Sequence, residues 1–464
     1  MLFAGRAKEE FDIKPIQSPM DAFVRRCADI YAGHPEWEDV DAHIKTINFA
    51  KSVCAETARL ATLAIGIHID GSARADWLQE QIDKIYFQLC HWVEYGCAYG
   101  TIILKPNGNG IDLVTPDNFL ITNVDNGKIT GAVFVDKQYN EQKKKFYARM
   151  EYHRFLDNGN YAISNRCYES DSTNQSAASI MSADKRVGID KTPWAGMSED
   201  VEIVGVDKPL YGVLRTPAAN NIDISSPLGM PLFASALEEL RDLDVAYSRF
   251  AKEIYDSART VLLDSDMLLP DGGKVSNSLH GFETRAREMH LPDYVKMVYG
   301  NGTDEVYHEI NPTLNTDERV TGINTILNQI GYKSGFENGH FVFDAHTGIQ
   351  TATGVEAEQQ RLIQTIKDVR DQLESCLDDL IYALDKFADL YGYAPVGVYE
   401  VVYDFGDITY NRDEDRARWY SYVVAGKIPM WYYLQKFEGM TEEEAKALGA
   451  EAQPQTPTLF GSEE

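Results

Sequence analysis

Residues Gly335–Leu390 read GFENGHFVFDAHTGIQTATGVEAEQQRLIQTIKDVRDQLESCLDDLIYALDKFADL. The stretch runs from a short extended segment through a small polar loop into one very long helix. Thr353 and Glu356 have the spacing of a capping box, which sets the helix start. From there to Leu390 no proline occurs, and Gly354 in the first turn is the sole glycine. Leu362, Ile366, Val369, Leu373, Leu377, Leu380, Leu384 and Phe387 recur at helical spacing as one apolar stripe. At 1.5 Å per residue the helix would be about 57 Å long, beyond what an ordinary globular domain uses. Charges on its other face exclude a membrane span. Such a helix points to a repeat, a coiled coil or a large assembly.

Around it, 464 residues give room for several substructures with their own cores. The hydrophobic content of 44% is that of a folded protein rather than a disordered one. The first residues, MLFAGRAKEEFDIK, are too charged for a signal peptide. Cys27, Cys54, Cys90, Cys97, Cys167 and Cys376 form no CxxC pair and read as small buried hydrophobes. A net charge of −28 argues against a protein that grips phosphates, since Lys and Arg supply that affinity. Two readings fit it: a soluble, self-repelling surface, or a conduit whose acidic wall lets a polyanion slide.

Before the quoted stretch, Phe23, Cys27 and Tyr31 suggest a short helix, and Ile47–Ala64 and Trp77–Tyr95 carry two amphipathic ones. Gly96 and Gly100 read as a helix end, because strands follow at once: TIILKP, GIDLVT, NFLITNV, KITGAVFVD and KKFYARMEYHRF. Asn107-Gly108, Asn109-Gly110 and Asp125-Asn126-Gly127 separate them as hairpin signals. A serine-rich loop from Glu169 to Met181 and extended structure over Val201–Leu214 come next. A helix from Leu232 to Ala258 contains Leu243-Asp244-Val245-Ala246-Tyr247-Ser248, and Asp317–Ile330 forms another. Between them lie strand-like segments at TVLLD, VKMVYG and Glu305–Ile310. A strand over Val398–Phe405, helices over Asp413–Ala425 and Pro429–Gly439, and a helical Thr441-Glu442-Glu443-Glu444-Ala445 segment follow, before a Pro- and Thr-rich tail from Gln453.

Phe341, Phe343 and Asp344, then Thr351-Ala352-Thr353 with Glu356 and Glu358, resemble the tunnel loop and long helix of phage portal proteins. These are the ring-shaped head-to-tail connectors of tailed double-stranded DNA phages. The Leu243–Ser248 segment resembles the first stem helix of that family, and the order of elements agrees from about Ile47 to Leu448. The resemblance implies an α+β, portal-type multidomain subunit. Its parts would be an N-terminal arm (1–45), a wing (46–230), a first stem helix (231–258), a clip (259–313) and a second stem helix (314–334). A wing strand, tunnel loop and long helix (335–390) and an α-helical crown with a flexible tail (391–464) would complete it. It further implies a structural ring, dodecameric in the family, at the capsid vertex of the virion and in the host cytoplasm during assembly. Partners would be double-stranded DNA passing through the channel, a terminase, a head-tail adaptor, and major capsid and scaffold proteins, with no membrane. The stem and the long helix, with apolar residues a monomer could not fully cover, are where subunits would meet.

Chemistry elsewhere in the chain is sparse. No GxxxxGK[ST], HExxH, GxSxG or dinucleotide fingerprint occurs, so no catalytic residue, cofactor site or metal site is expected. Asp264, Asp266 and Asp271 fail the EF-hand order. His340 and His346 read as exposed loop histidines without a third ligand. By resemblance, the loop Asp344, Ala345, His346, Thr347, Gly348, Ile349 and Gln350 projects toward translocating DNA and touches phosphates without reading bases; otherwise it is a plain connector. On the long helix, Asp368, Asp371, Glu374, Asp378, Asp385 and Asp389 share one sector opposite the leucine stripe. That sector is either a solvated face or, at Asp371, Glu374 and Asp378, an acidic channel face. The alternatives to a portal are another phage head structural protein, such as a minor capsid component, or a phage DNA-processing enzyme.

Overall fold

Apolar residues at helical spacing form α1 (Ala4–Phe11), α2 (Met20–Tyr31) and α3 (Phe49–Ala61), each burying one stripe. The computed structural model describes residues 3–107, 110–170, 185–257, 260–264, 295–298, 307–310, 315–342, 352–406, 419–424, 427–438 and 445–446. The sequence reading left α1 out; that helix buries Phe3 and Ala7 against the main sheet. β1 (Gly66–Asp70), also unforeseen, leads into α4 (Ala73–Ile85) and α5 (Leu89–Tyr99). One helix was expected here, but a 3-10 turn at Tyr86–Gln88 divides it, because no residue of that turn is buried and Phe87 points outward. α5 ends at Gly100, whose φ of 76° is the left-handed cap conformation. A Cβ there would overlap the Gly229 carbonyl, so glycine serves both the cap and a close backbone approach.

The meander follows as β2 (Thr101–Pro106), β3 (Ile111–Val114), β4 (Phe119–Asp125), β5 (Lys128–Asn140) and β6 (Lys145–Phe155). β7 (Tyr161–Ser170), β8 (Arg186–Val187), β9 (Asp200–Ile203) and β10 (Gly212–Arg215) complete the strands of this region. β7 extends to Ser170, where the sequence reading began a loop; residues 171–181 of that loop lie outside the described residues. β4-β5-β6-β7-β8 form one antiparallel sheet with β9 paired to β7, and β10-β2-β3 form a second. Asn126 and Gly127 join β4 to β5 with φ of 48° and 77°, the type I′ signature that Asn-Gly announces.

Between these two sheets sits a buried ion network. Lys105 Nζ lies 2.7 Å from Glu151 and 3.3 Å from Asp136, and Arg149 bonds both carboxylates. Lys105 and Arg149 are fully buried, so each charge depends on its partners for the solvation it has lost. His153 joins them, with Nε2 3.1 Å from Glu151 and Nδ1 3.0 Å from the Tyr161 hydroxyl.

α6 (Leu237–Asp256) and α7 (Thr316–Lys333) flank a three-stranded sheet of β11 (Thr260–Asp264), β12 (Val295–Val298) and β13 (Tyr307–Ile310), ordered β12-β11-β13. The two helices are linked by Arg319–Glu253 at 2.8 Å and Lys333–Glu239 at 2.6 Å. α8 (Ala352–Tyr391) is a single helix of 40 residues. It starts at Ala352, so Thr353 falls inside the first turn and not at the cap. β14 (Glu400–Asp404) pairs with β1.

The apolar stripe of α8 is buried inside the subunit. Leu362, Ile366, Val369, Leu373, Leu377, Leu380, Leu384 and Phe387 are all buried, where the sequence reading left part of this stripe for another copy. The fold supplies the cover itself: Ala383 and Phe387 pack with Tyr161, Ile163 and Leu210, and β10 crosses close to the helix. Gly212 permits that crossing, since a Cβ would overlap the Cys376 carbonyl. Five of the six cysteines are buried, as expected of small hydrophobes.

Residues Met1–Thr62 and Gly66–Tyr403 make one compact unit; Leu63–Ile65 and Asp404–Glu464 make the other. In the second, helical residues 419–424 and α9 (Met430–Glu438) bring aromatic rings together. Trp419 lies 5.8 Å from Tyr432, and Tyr433 lies 5.1 Å from Phe437, measured between ring centroids. Residues 413–418 and 425 of the helix expected over Asp413–Ala425 lie outside the described residues.

Candidate functional site

α8 is held near its middle and at its C-terminal end by buried arginines, one from its own sequence and one from α4. Arg74, fully buried at the start of α4, uses all of its donors. It bonds the Asp385 carboxylate at 3.0 Å, Asp389 at 2.6 Å, and the carbonyls of Asp385, Ala394 and Pro395. A cation there also opposes the partial negative charge at the C-terminus of α8. Arg370, from the middle of α8, donates 3.0 Å bonds to the carbonyls of Leu60 and Ala61, capping α3.

These contacts divide the acidic sector. Asp385 and Asp389 belong to the Arg74 clamp and not to a free acidic face. The remaining residues stay together. Asp371 and Asp378 are exposed, and Glu374 is half-buried between them in sequence. Partial burial, and then the charges of Asp378 and Asp371, push the Glu374 carboxyl above the usual carboxylate range. Asp378 accepts a 2.7 Å hydrogen bond from the Tyr403 hydroxyl of β14. Burial and that carboxylate push the Tyr403 phenol far above its ordinary value. The result is a compact acidic patch on a rigid helix, with one member fixed in orientation by Tyr403.

Residues 338–341 form a turn that includes Phe341, the first residue of the strand expected at Phe341–Asp344; residues 343 and 344 lie outside the described residues. Gly335 and Gly339 take φ of 88° and 86°, and residues 338–341 turn back on themselves. Aromatic contacts hold it: Phe341 lies 4.7 Å from Phe336 and 5.2 Å from Phe49 of α3, between ring centroids. His340 is largely covered rather than exposed, with its nitrogens 3.4 Å from Glu56 and 3.7 Å from Glu337. Phe343 and the whole candidate loop, Asp344, Ala345, His346, Thr347, Gly348, Ile349 and Gln350, lie outside the described residues.

The Leu243–Ser248 segment has a defined structural task. Leu243 is fully buried, whereas Asp244 and Ser248, one helical turn apart, face the chain between Trp37 and Ile47. Asp244 accepts 2.9 Å bonds from Trp37 Nε1 and the Ile47 N–H. Ser248 accepts from the Lys45 N–H at 2.9 Å. Thus α6 staples the Trp37–Ile47 segment through two polar side chains on one face.

Sequence reasoning missed Arg74, Arg370 and Tyr403. Arg74 stands among ordinary first-turn residues of a helix, and its partners are more than three hundred residues away in sequence, so no local pattern marks it. Among the described residues no three His, Cys, Asp or Glu side chains gather where they could hold a metal ion, and no helix is long and apolar enough to cross a membrane.

Comparison with known proteins agrees with the order of elements. A family model for phage portal proteins, SPP1 Gp6-like, matches residues 76–458. No curated protein matches the chain. With α5 through α9 inside that match, the chain belongs to the phage portal proteins, SPP1 Gp6-like, and is a portal of a phage head.

Proposed function

We propose that this portal works as a dodecameric ring at the capsid vertex, with α8 as a wall element of the DNA channel. The observation that carries the reading is a rigid, acidic helix in a portal chain whose apolar face is already covered from within. In this reading the arm is 1–45, the wing 46–230, the stem helices 231–258 and 314–334, the clip 259–313 and the crown 391–464. The α6–sheet–α7 order supports the stem and clip assignments. Residues 344–350 form the loop that faces translocating DNA. A separate terminase hydrolyses ATP, a head-tail adaptor docks at the clip, and scaffold and major capsid proteins join the ring during assembly in the host cytoplasm. The family is structural, and this chain supplies a channel rather than a reaction.

Carboxylates at Asp371, Glu374 and Asp378 would act by repulsion. A polyanion close to fixed negative charge gains no binding site and slides. The variant Asp371→Asn, Glu374→Gln, Asp378→Asn tests this, because asparagine at 378 keeps an acceptor for Tyr403 and changes only charge. Particles carrying it are expected to assemble but to package or retain less DNA; unchanged packaging and retention contradict the assignment. Deleting His346–Ile349 should likewise leave the ring assembled and impair packaging, and normal packaging would refute the loop's role.

A further inference from the structure

The net charge of −28 hides one local reversal. Lys143-Lys144-Lys145 is the longest run of basic residues in the chain, and it turns the corner between β5 and β6. Asn140 and Lys145 close this hairpin as a strand pair, and the Asn140 side chain accepts a 3.0 Å bond from the Lys143 N–H. Lys144 sits at the tip with a φ of 52°, exposed. Folding brings further lysines to the same end of the sheet. Lys143 Nζ donates 2.8 Å to the Lys191 carbonyl, and Lys145 pairs with Glu169 at 3.0 Å. The Glu169 N–H in turn bonds the Lys185 carbonyl at 3.1 Å. Lys137, three residues down β5, stands over the Phe146 ring at 4.7 Å, beside the half-exposed Tyr139. Near these six lysines the described residues place Glu141, Glu169 and Asp190, so the sheet end is basic.

We propose that this lysine-rich sheet end is a docking surface for an acidic face of a second copy of the chain, the next subunit of the ring. The inference rests on the ring reading above. A cyclic ring needs a heterologous interface, in which one patch meets a different patch on the neighbour. Each copy carries 72 acidic residues against 44 basic ones, so carboxylates outnumber cations on a neighbour. A basic patch therefore has its complement on any adjoining copy, and it relieves the repulsion between strongly anionic subunits. Screening makes the local charge count: the Debye length is about 8 Å at physiological ionic strength, so the patch responds to what touches it rather than to the distant net charge. A duplex is the less suitable occupant, because a few lysines on an otherwise acidic chain release few counterions.

The test mixes unlabelled and nitrogen-15-labelled chains, assembles rings, and treats them with a zero-length carbodiimide. That reagent joins a lysine amine to a carboxylate as an amide with loss of water. Mass spectrometry should find heavy–light crosslinks from Lys143, Lys144 or Lys191 to carboxylates of the other copy. In parallel, Lys143→Glu/Lys144→Glu, at an exposed turn, should keep its circular dichroism and raise the concentration needed for half-assembly by about tenfold. Crosslinks only within one copy, together with unchanged assembly of the variant, overturn the proposal while the ring reading stands. Wild-type assembly by the variant with loss of binding to a short DNA duplex also overturns it, since the patch then serves nucleic acid. A wild-type chain that forms no ring contradicts both.

Discussion

Single side chains decide much of this fold, and the most consequential is Arg74. Its five bonds join the start of α4, the end of α8 and the Ala394–Pro395 segment. Arg74→Met should cost about 3–5 kcal/mol in unfolding experiments, because it strands Asp385, Asp389 and three carbonyls; a loss below about 1 kcal/mol would contradict the clamp. His153 supplies a pH test. Burial depresses its pKa below the ordinary 6.5, against the pull of Glu151. As pH falls below 6.5, the unfolded chain takes up a proton that the folded chain does not, so stability declines. Glu151 acts lower still: although burial opposes ionisation, Arg149 and Lys105 hold its carboxyl well below 4.5, and its contribution is lost as pH falls through that depressed value. The melting temperature should therefore drop from about pH 6.5 downward, and His153→Phe should flatten the first part of that slope. A slope identical in the variant would rule out His153 as its source. None of these roles was visible in the sequence, because each depends on partners brought together only by tertiary contacts.

At the scale of elements the sequence was far more legible. Strand β2 lies where the helix end at Gly100 puts it, the Asn126-Gly127 turn has the expected type, and α8 runs over nearly the span its stripe defines. What escaped is instructive. The Phe336–Phe341 turn was read as extended because aromatic residues favour strands locally, whereas here their rings pack on each other and on Phe49. The helix break at Tyr86–Gln88 lacks Gly or Pro to mark it. The leucine stripe told that α8 was buried on one side but not by whom. Gly212 answers part of that question. Gly212→Ala should force β10 away from Cys376 and cost about 1–3 kcal/mol, read as a lower denaturant midpoint. An unchanged midpoint would mean the crossing is looser than the geometry requires. Asp244→Ala leaves the Trp37 and Ile47 donors without their acceptor and should speed hydrogen exchange at Ile47 without unfolding α6; unaltered exchange would contradict the staple.

For the whole molecule, composition excluded a phosphate-gripping protein by its average charge, yet the fold gathers lysines at one sheet end and carboxylates along one helix. Average charge carries no address, so neither the clamp on Asp385 and Asp389 nor the basic rim could be read from it. The family match over residues 76–458 makes this a phage portal protein, and the apolar stripe of α8 is covered from within the subunit. Assembly should then be sensitive to salt, because charged rims are screened where apolar cores are not. The central claim is a ring with α8 lining its channel, and cryo-electron microscopy of the assembled chain tests it most directly. A closed ring with a central channel is expected, with Asp371, Glu374 and Asp378 of every copy facing the lumen. A ring whose α8 acidic patch lies on the outer surface or inside a subunit contact would contradict it.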